Sequence, residues 1–578
     1  MVMDKLAALA VVWGLLLPWV FIGLRVFATY GFYDRLLAGV LGGLAATVSL
    51  AYVLAMFGRL DLYWGLYAAV CVLSILLARG GYVVEIRWSS GAWWITLVLA
   101  LVLLAEAWPV FSLEYPLGWD PTFHLILARK ILESNALCAD WRPFEPIPVN
   151  YTQGLHVFIA LVSQWSGQPA HLTFQILHLV FQPLAGLLVL RLALAIFGDL
   201  RAGVLALLVY EFLCSHGSFS SYYQWGGLPT ELGALFFLAI IWMGLTDRSR
   251  RGTALAVLCY GGLVMAHHLS GLIATWVLGF YIAASYVGRV DGVLRVWVLR
   301  LWPLTVLVYA FYIGPYVVGH FGQLGHTDVL HFYDEDLKTG WQVATDLGPV
   351  ALVLGLLGFL LAMQRADDVR GGFLLSWFAA LALGFGLLGY GYRFVAYLIF
   401  DEEFTAFTPS RFMTLLAYPL AIYAGYALAE LIAIGARRFS LRADLLIAAV
   451  VVVVVLASVP EVVRLAGLRS VSKEGVALAR RIEAEVLADG FVLYEDHVLN
   501  KMQPYHWVTY LTWRRSVYTP IPASENRQLL RQIREEMWQL KISRISQWVA
   551  SGETPIYYAS VNPQTKEVEI KRVTEGEQ

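Results

Sequence analysis

The sequence predicts an all-α polytopic membrane protein with a small α/β domain at its C-terminal end. Three observations predict it. Hydrophobic residues fill 59% of the 578 positions and charged residues only 14%, against roughly 25% charged in a soluble domain. Long apolar runs recur as far as about residue 459 and then stop. Arginines fall in clusters that alternate along the chain between those runs. A large aqueous enzyme of this composition would lack the polar surface to stay in solution. The net charge of −1 gives no reason to expect a nucleic-acid partner.

Taken in order, apolar segments lie at 6–27, 36–57, 61–78, 92–112, 172–196, 202–219, 228–245, 253–266, 269–287, 300–318, 348–363, 372–390, 412–434 and 444–459. They predict about 14 transmembrane helices in a domain covering 1–459. The first, MVMDKLAALAVVWGLLLPWVFIGL, has too long an apolar stretch for a signal peptide and lacks a small-residue cleavage site.

Alternate short loops carry Arg25 and Arg35, Arg79 and Arg87, Arg191 and Arg201, and Arg248, Arg250 and Arg251. Arg289, Arg295 and Arg300 come next, then Arg365 and Arg370, then Arg437, Arg438 and Arg442. Positive charge favours the cytoplasmic side. The loops 113–171, 319–347 and 391–411, and everything after about 460, are then extracytoplasmic, in an integral plasma-membrane protein. Glu106, Glu211, His216, Glu231, His267 and His268 map to the outer ends of their segments. Ionisable groups near a membrane core face a cavity or pair with each other, so an outer polar cavity accounts for them. Solvation at headgroup depth is the plainer alternative. The four cysteines, Cys71, Cys138, Cys214 and Cys259, form no C-x-x-C pair and indicate no zinc or disulfide framework.

The first external loop holds the chemistry. DPTFHLILARKILE reads as a helix with Asp120 at its start and Pro121 at its first position. Asp120 and His124, four apart, share one face, and Arg129 and Lys130 follow. TQGLHVFIALVSQW, with His156, is apolar but short for a span, and is expected to lie on the membrane surface or dip into it. A carboxylate here can take a proton from an attacking hydroxyl, and Arg or His can hold a phosphate. Asp120 as a helix cap and His124 and His156 as packed residues are the alternatives. A divalent cation on Asp, His and Glu is possible but lacks specific spacing.

Elsewhere, Asp334-Glu335-Asp336 are candidates for a cation or sugar hydroxyls, or a solvated run. Arg393 and Arg411 flank Asp401, Glu402 and Glu403 and are candidate phosphate clamps, or ordinary arginines snorkelling at the interface. Tyr222, Tyr223 and Trp225 are candidates to stack on sugar faces or to sit in the membrane belt, and the belt is the expectation. From 460 to 578 the composition turns polar. SKEGVALARRIEAEVL and ENRQLLRQIREEMWQLKISRISQWVAS read as amphipathic helices, and FVLYED, SVYTP, PIYYASV and EVEIKRV as strands. His497, His506 and Glu495-Asp496 lie there without metal-ligand spacing.

YPLGWDPTFHLILARKIL followed by NYTQGLHVFIALVSQWSG resembles the first external loop of the GT-C superfamily of membrane glycosyltransferases. Asn150-Tyr151-Thr152-Gln153-Gly154 stands where a double proline is common in that superfamily. PSRFMTLLAYPLAIYAGYAL looks like a late GT-C helix, and the resemblance spans about 90–435. QWGGLPTELGALFFLAIIW and LVMAHHLSGL resemble prokaryotic multi-span proteins labelled 6-pyruvoyl-tetrahydropterin synthase-related. The GT-C resemblance implies inverting transfer of a sugar from a polyprenyl-phosphate donor to an extracytoplasmic glycan, lipid or protein acceptor. It implies Asp120 as general base. The expected supporting set is His124, Arg129, His156, Glu231, His267 and His268, with Arg393 or Arg411 on the donor phosphate. A transporter or lipid flippase, and a non-catalytic assembly subunit, are the alternatives.

Overall fold

Segments that are apolar on every face bury themselves against one another, and in lipid a helix satisfies its own backbone. The computed structural model describes residues 1–79, 90–118, 120–144, 149, 151–287, 292–321, 340–364, 369–391, 409–471, 473–487, 490–494, 505–516, 555–561, 565 and 568–572. Helices α1 (Val2–Val26), α2 (Phe32–Met56), α3 (Tyr63–Ala78) and α4 (Ser90–Ser112) precede the long loop, which holds α5 (Asp120–Ser134) and α6 (Gly154–Ser166). Next come α7 (Ala170–Phe197), α8 (Leu200–Phe212), α9 (Phe219–Trp225), α10 (Leu228–Thr246), α11 (Arg250–Ala266), α12 (His268–Val287) and α13 (Gly292–Phe321). They are followed by α14 (Gly340–Leu347), α15 (Pro349–Met363), α16 (Val369–Leu383), π-helical Gly384–Gly391, α17 (Pro409–Phe439) and α18 (Ala443–Gly467).

Among the described residues, 9 helices are long and apolar enough to cross a membrane, or 10 if the pair α14–α15, bent by 90°, counts as one. The expected fourteen are not reached by that measure. Segment 202–219 forms only the 13 residues of α8, because the polar stretch through Gly217, whose φ is +73°, turns the chain. Segment 253–266 falls in α11, of 17 residues. Segment 372–390 is divided between α16 and the π-helical stretch.

Helix α10 runs through the middle of the bundle with its whole apolar window buried. It packs on α7 and α11, while α17 packs on α8 and α15, and α1 on α2. Helix α6 does not lie on a surface: residues 154–163 are all buried, packed against α2, α5, α7 and α11. A mostly apolar helix finds this the lower-energy place, since each buried Leu, Ile, Val or Phe contributes about 2 kcal/mol relative to water.

The two ends of the bundle are chemically distinct. At one end the Lys5 ammonium, fully buried, donates to the carbonyls of Val110 and Leu113, capping the C-terminus of α4. Ser470 donates to Tyr115 O (3.2 Å) and Arg464 to Gln224 (3.0 Å), so the start of α1, the first loop and the C-terminal segment share this end. The other end carries the short-loop arginine clusters, with Arg191 paired to Asp34 (2.5 Å) and Arg251 donating to Val26 O (2.7 Å).

Beyond α18 come α19 (Lys473–Glu485), β1 (Phe491–Tyr494), α20 (Tyr505–Thr512), β2 (Arg515–Ser516), β3 (Ile556–Val561) and β4 (Val568–Arg572). The strands form one sheet in the order β2-β1-β3-β4. β1 is parallel to β2 and β3, and β4 is antiparallel to β3 with Tyr557 opposite Arg572. The expected helix over ENRQLLRQIREEMWQLKISRISQWVAS, with Glu495, Asp496 and His497, lies outside the described residues.

Candidate active site

Two glycines set the position of Asp120. Gly118 and Gly226 adopt φ of +82° and +83°, the left-handed region open to glycine. A Cβ on Gly118 would lie 2.7 Å from Trp225 O, and one on Gly226 would overlap the Pro121 ring. The start of α5 is thus seated against the turn between α9 and α10, with Asp120 between the two contacts. Leu125, Ile126, Leu127 and Ile131 are fully buried and hold the helix down.

From Asp120 a hydrogen-bonded chain runs inward. His124 Nε2 lies 3.4 Å from Asp120 Oδ2, and His124 Nδ1 lies 2.9 Å from His156 Nε2. His124 and His156 are buried, while the Asp120 side chain keeps 13% exposure. That is the arrangement expected of a group that must meet substrate at one end and be oriented at the other. The i, i+4 spacing supplies the first link. α6 supplies the second, by bringing His156 alongside α5.

Tyr151 packs at the centre of the histidines. Its ring centroid lies 5.5 Å from His124, 5.6 Å from His156, 6.4 Å from His267 and 5.4 Å from His268. The N–H of His268 donates to Thr152 Oγ1 (3.3 Å), and His267 Nδ1 lies 2.7 Å from Ser270 Oγ. Gln153 pins this stretch to the loop: its Oε1 accepts from the Cys138 N–H and its Nε2 donates to the Cys138 carbonyl, both at 2.8 Å. Burial pushes the Cys138 thiol up to about 12, so it is no nucleophile at neutral pH. The Arg142 guanidinium beside Asp140 holds that carboxyl below its usual range.

Expected residues are thus gathered unevenly. Asp120, His124 and His156 form one chain, with His267 and His268 reaching it through Tyr151. Glu231 is elsewhere: fully buried, it pairs with His178 Nδ1 at 2.6 Å. Phe174 separates the two groups, its ring 6.5 Å from His124 and 5.9 Å from His178. Arg129 turns to the C-terminal segment, with Nε on Glu133 (2.9 Å), NH1 on Tyr510 O (3.1 Å) and its guanidinium 4.2 Å from the Trp513 ring. Arg393, Asp401, Glu402, Glu403 and Asp334-Glu335-Asp336 lie outside the described residues, as does the Arg411 side chain. Among the described residues no group of three or more His, Cys, Asp or Glu is placed to hold a metal ion.

Tyr222 and Tyr223 correct the belt expectation. Both are buried: the Tyr222 hydroxyl meets Tyr418 OH at 3.1 Å, and Tyr223 donates to Pro109 O at 3.2 Å. Sequence reasoning missed His178 and Gln182, which donates to Tyr210 OH and Glu211 Oε2, both at 3.0 Å. Their signal was polarity within the apolar run of α7.

No family model matches the chain, and no curated protein matches it in sequence. Solved structures do match. The Archaeoglobus fulgidus oligosaccharyltransferase tethered with an acceptor peptide aligns at TM-score 0.52 and 14% identity, over 81% of this chain and 69% of that one. Oligosaccharyltransferase AglB of the same organism, solved with an inhibitory peptide and a dolichol-phosphate, aligns at 0.51 and 13%, over 80% and 69%. ArnT from Cupriavidus metallidurans, bound to undecaprenyl phosphate, aligns at 0.51 and 16%, over 82% and 94%. This chain has the GT-C fold. The comparisons give no support to the 6-pyruvoyl-tetrahydropterin synthase-related label.

Proposed function

We propose that this protein is a membrane glycosyltransferase moving a sugar from a polyprenyl-phosphate donor to an extracytoplasmic acceptor with inversion. The observation that carries the proposal is the chain Asp120–His124–His156 on a GT-C fold. Asp120 takes the proton of the acceptor hydroxyl or amide as its oxygen or nitrogen bonds to the anomeric carbon. The bond from that carbon to the phosphate oxygen breaks, and polyprenyl phosphate leaves with the electron pair. His124 holds Asp120 and is itself oriented by His156. Arg393 and Arg411 are proposed for the donor phosphate, His267 and His268 for the sugar or acceptor. The donors are suggested by the lipid phosphates in the AglB and ArnT structures. Glycan, lipid and protein remain the proposed acceptor classes.

Asp120→Asn keeps the shape and removes the base. Transfer of radiolabelled sugar from a polyprenyl phosphate by membranes holding this variant is expected to fall in kcat about 10²–10⁴-fold with donor KM little changed. Wild-type kcat would remove Asp120 from the mechanism.

A transporter reading draws on one other observation. Glu106, Glu211 and Glu231 are buried within electrostatic reach of one another, as in ion-coupled carriers. Substrate uptake into proteoliposomes without sugar transfer would favour it.

A further inference from the structure

At the arginine-rich end, the opposite end of α11 from His267, a groove of about 600 Å³ opens between α11 and α13. Arg248, Arg250 and Arg300 stand at its mouth, and Val257, Leu258 and Leu304 form its wall. Thr253, also in the lining, is held by Trp297, which is buried against α10 at Gly244 and donates from Nε1 to Thr253 Oγ1 at 3.0 Å. We propose that this groove binds one anionic phospholipid, phosphate at the arginines and acyl chain along the apolar wall.

The charge is complementary to a phosphodiester and to little else the chain itself offers. Arg250 and Arg300 have no carboxylate partner among the described residues. Asp247, the acid beside them, is engaged in the α10–α11 turn, its Oδ1 accepting the Ser249 N–H at 2.8 Å. Arg248 is braced by its Nε, which donates to Gly244 O at 2.9 Å, so its position at the mouth is fixed. Guanidinium forks bind phosphate oxygens in pairs. The geometry along the helix matches a lipid rather than a free ion. From Arg250 to Leu258 the rise is about 12 Å, the step from headgroup depth into the acyl region. Basic pockets between transmembrane helices on the cytoplasmic side are the known setting for anionic headgroups.

The test uses the purified full chain in non-ionic detergent, with bound lipid counted by native mass spectrometry. Phosphatidylglycerol is expected to be retained and phosphatidylcholine of the same chains lost. Arg250→Gln and Arg300→Gln should each weaken retention about fivefold. Leu258→Trp should exclude the lipid with all three arginines in place. Equal retention of the two lipids, or wild-type affinity in the arginine variants, would overturn the proposal. So would Leu258→Trp leaving retention intact while inorganic phosphate competes, which would mark a phosphate site without a lipid. None of these readouts depends on sugar transfer.

Discussion

His124 shows what one side chain can and cannot reveal in advance. Its spacing from Asp120 follows from helix geometry alone, and the sequence carries that link openly. The link to His156 spans 32 residues and exists only because α6 is buried beside α5, a tertiary fact. His178 and Glu231 illustrate the opposite failure. Glu231 was legible as a buried acid, but its partner is a histidine 53 positions away and not the loop aspartate. Gln153 gives a sharp prediction at this scale. Replacing it by Leu leaves the Cys138 N–H and C=O unpaired in a buried place, which costs about 2–4 kcal/mol. Thermal unfolding in detergent should show the loss. An unchanged midpoint would mean that water or a neighbouring group takes over both bonds.

At the scale of elements, the packing of α5 decides where Asp120 stands. The turn at Trp225–Gly226 is the seat, and Gly226→Ala attacks it twice. Alanine is strained at φ +83°, by about 1–2 kcal/mol, and its Cβ overlaps Pro121. Both stability and transfer should fall. Gly261→Ala, in α11 with open space around its Cβ, is the control and should hold or slightly raise the unfolding midpoint. Equal behaviour of the two variants would show that the seat does not matter.

The second element is α20. Trp507 packs on Tyr115 at 5.4 Å, Trp513 on Phe144 at 5.0 Å, and the Tyr510 hydroxyl lies 3.3 Å from His171 Nδ1. Arg129, which sequence reading placed in the supporting substrate-binding set, is the charged pin of this contact. Arg129→Ala should loosen α20 and hasten limited proteolysis near 505–516, whereas Arg129→Lys keeps part of the cation–π attraction. Cleavage at the wild-type rate in Arg129→Ala would make the contact incidental. No sequence pattern announces such a pairing, because a cation and an aromatic 384 positions apart meet only once the first loop and the C-terminal segment have folded together.

For the whole molecule, apolar length and arginine placement made the membrane fold legible, while the number of spans was not. Hydropathy cannot separate a straight span from α8, which ends at Phe212 before the turn through Gly217, or from the bent pair α14–α15. Which end faces out is the remaining step. Lys5 capping α4 ties the start of α1 to the first loop, and Ser470 ties the C-terminal segment to Tyr115, so these parts must lie on one side together. From the arginine clusters we propose that this side faces outward. In a Cys71→Ala background, Met3→Cys and Glu133→Cys should react with a membrane-impermeant maleimide on intact cells. Arg442→Cys, at the opposite end with its side chain 80% exposed, should react only after the membrane is opened. The reverse pattern would turn the molecule over and put Asp120 in the cytoplasm. A donor presented on the outer leaflet could then never reach it, and the transferase proposal would need a cytoplasmic donor to stand.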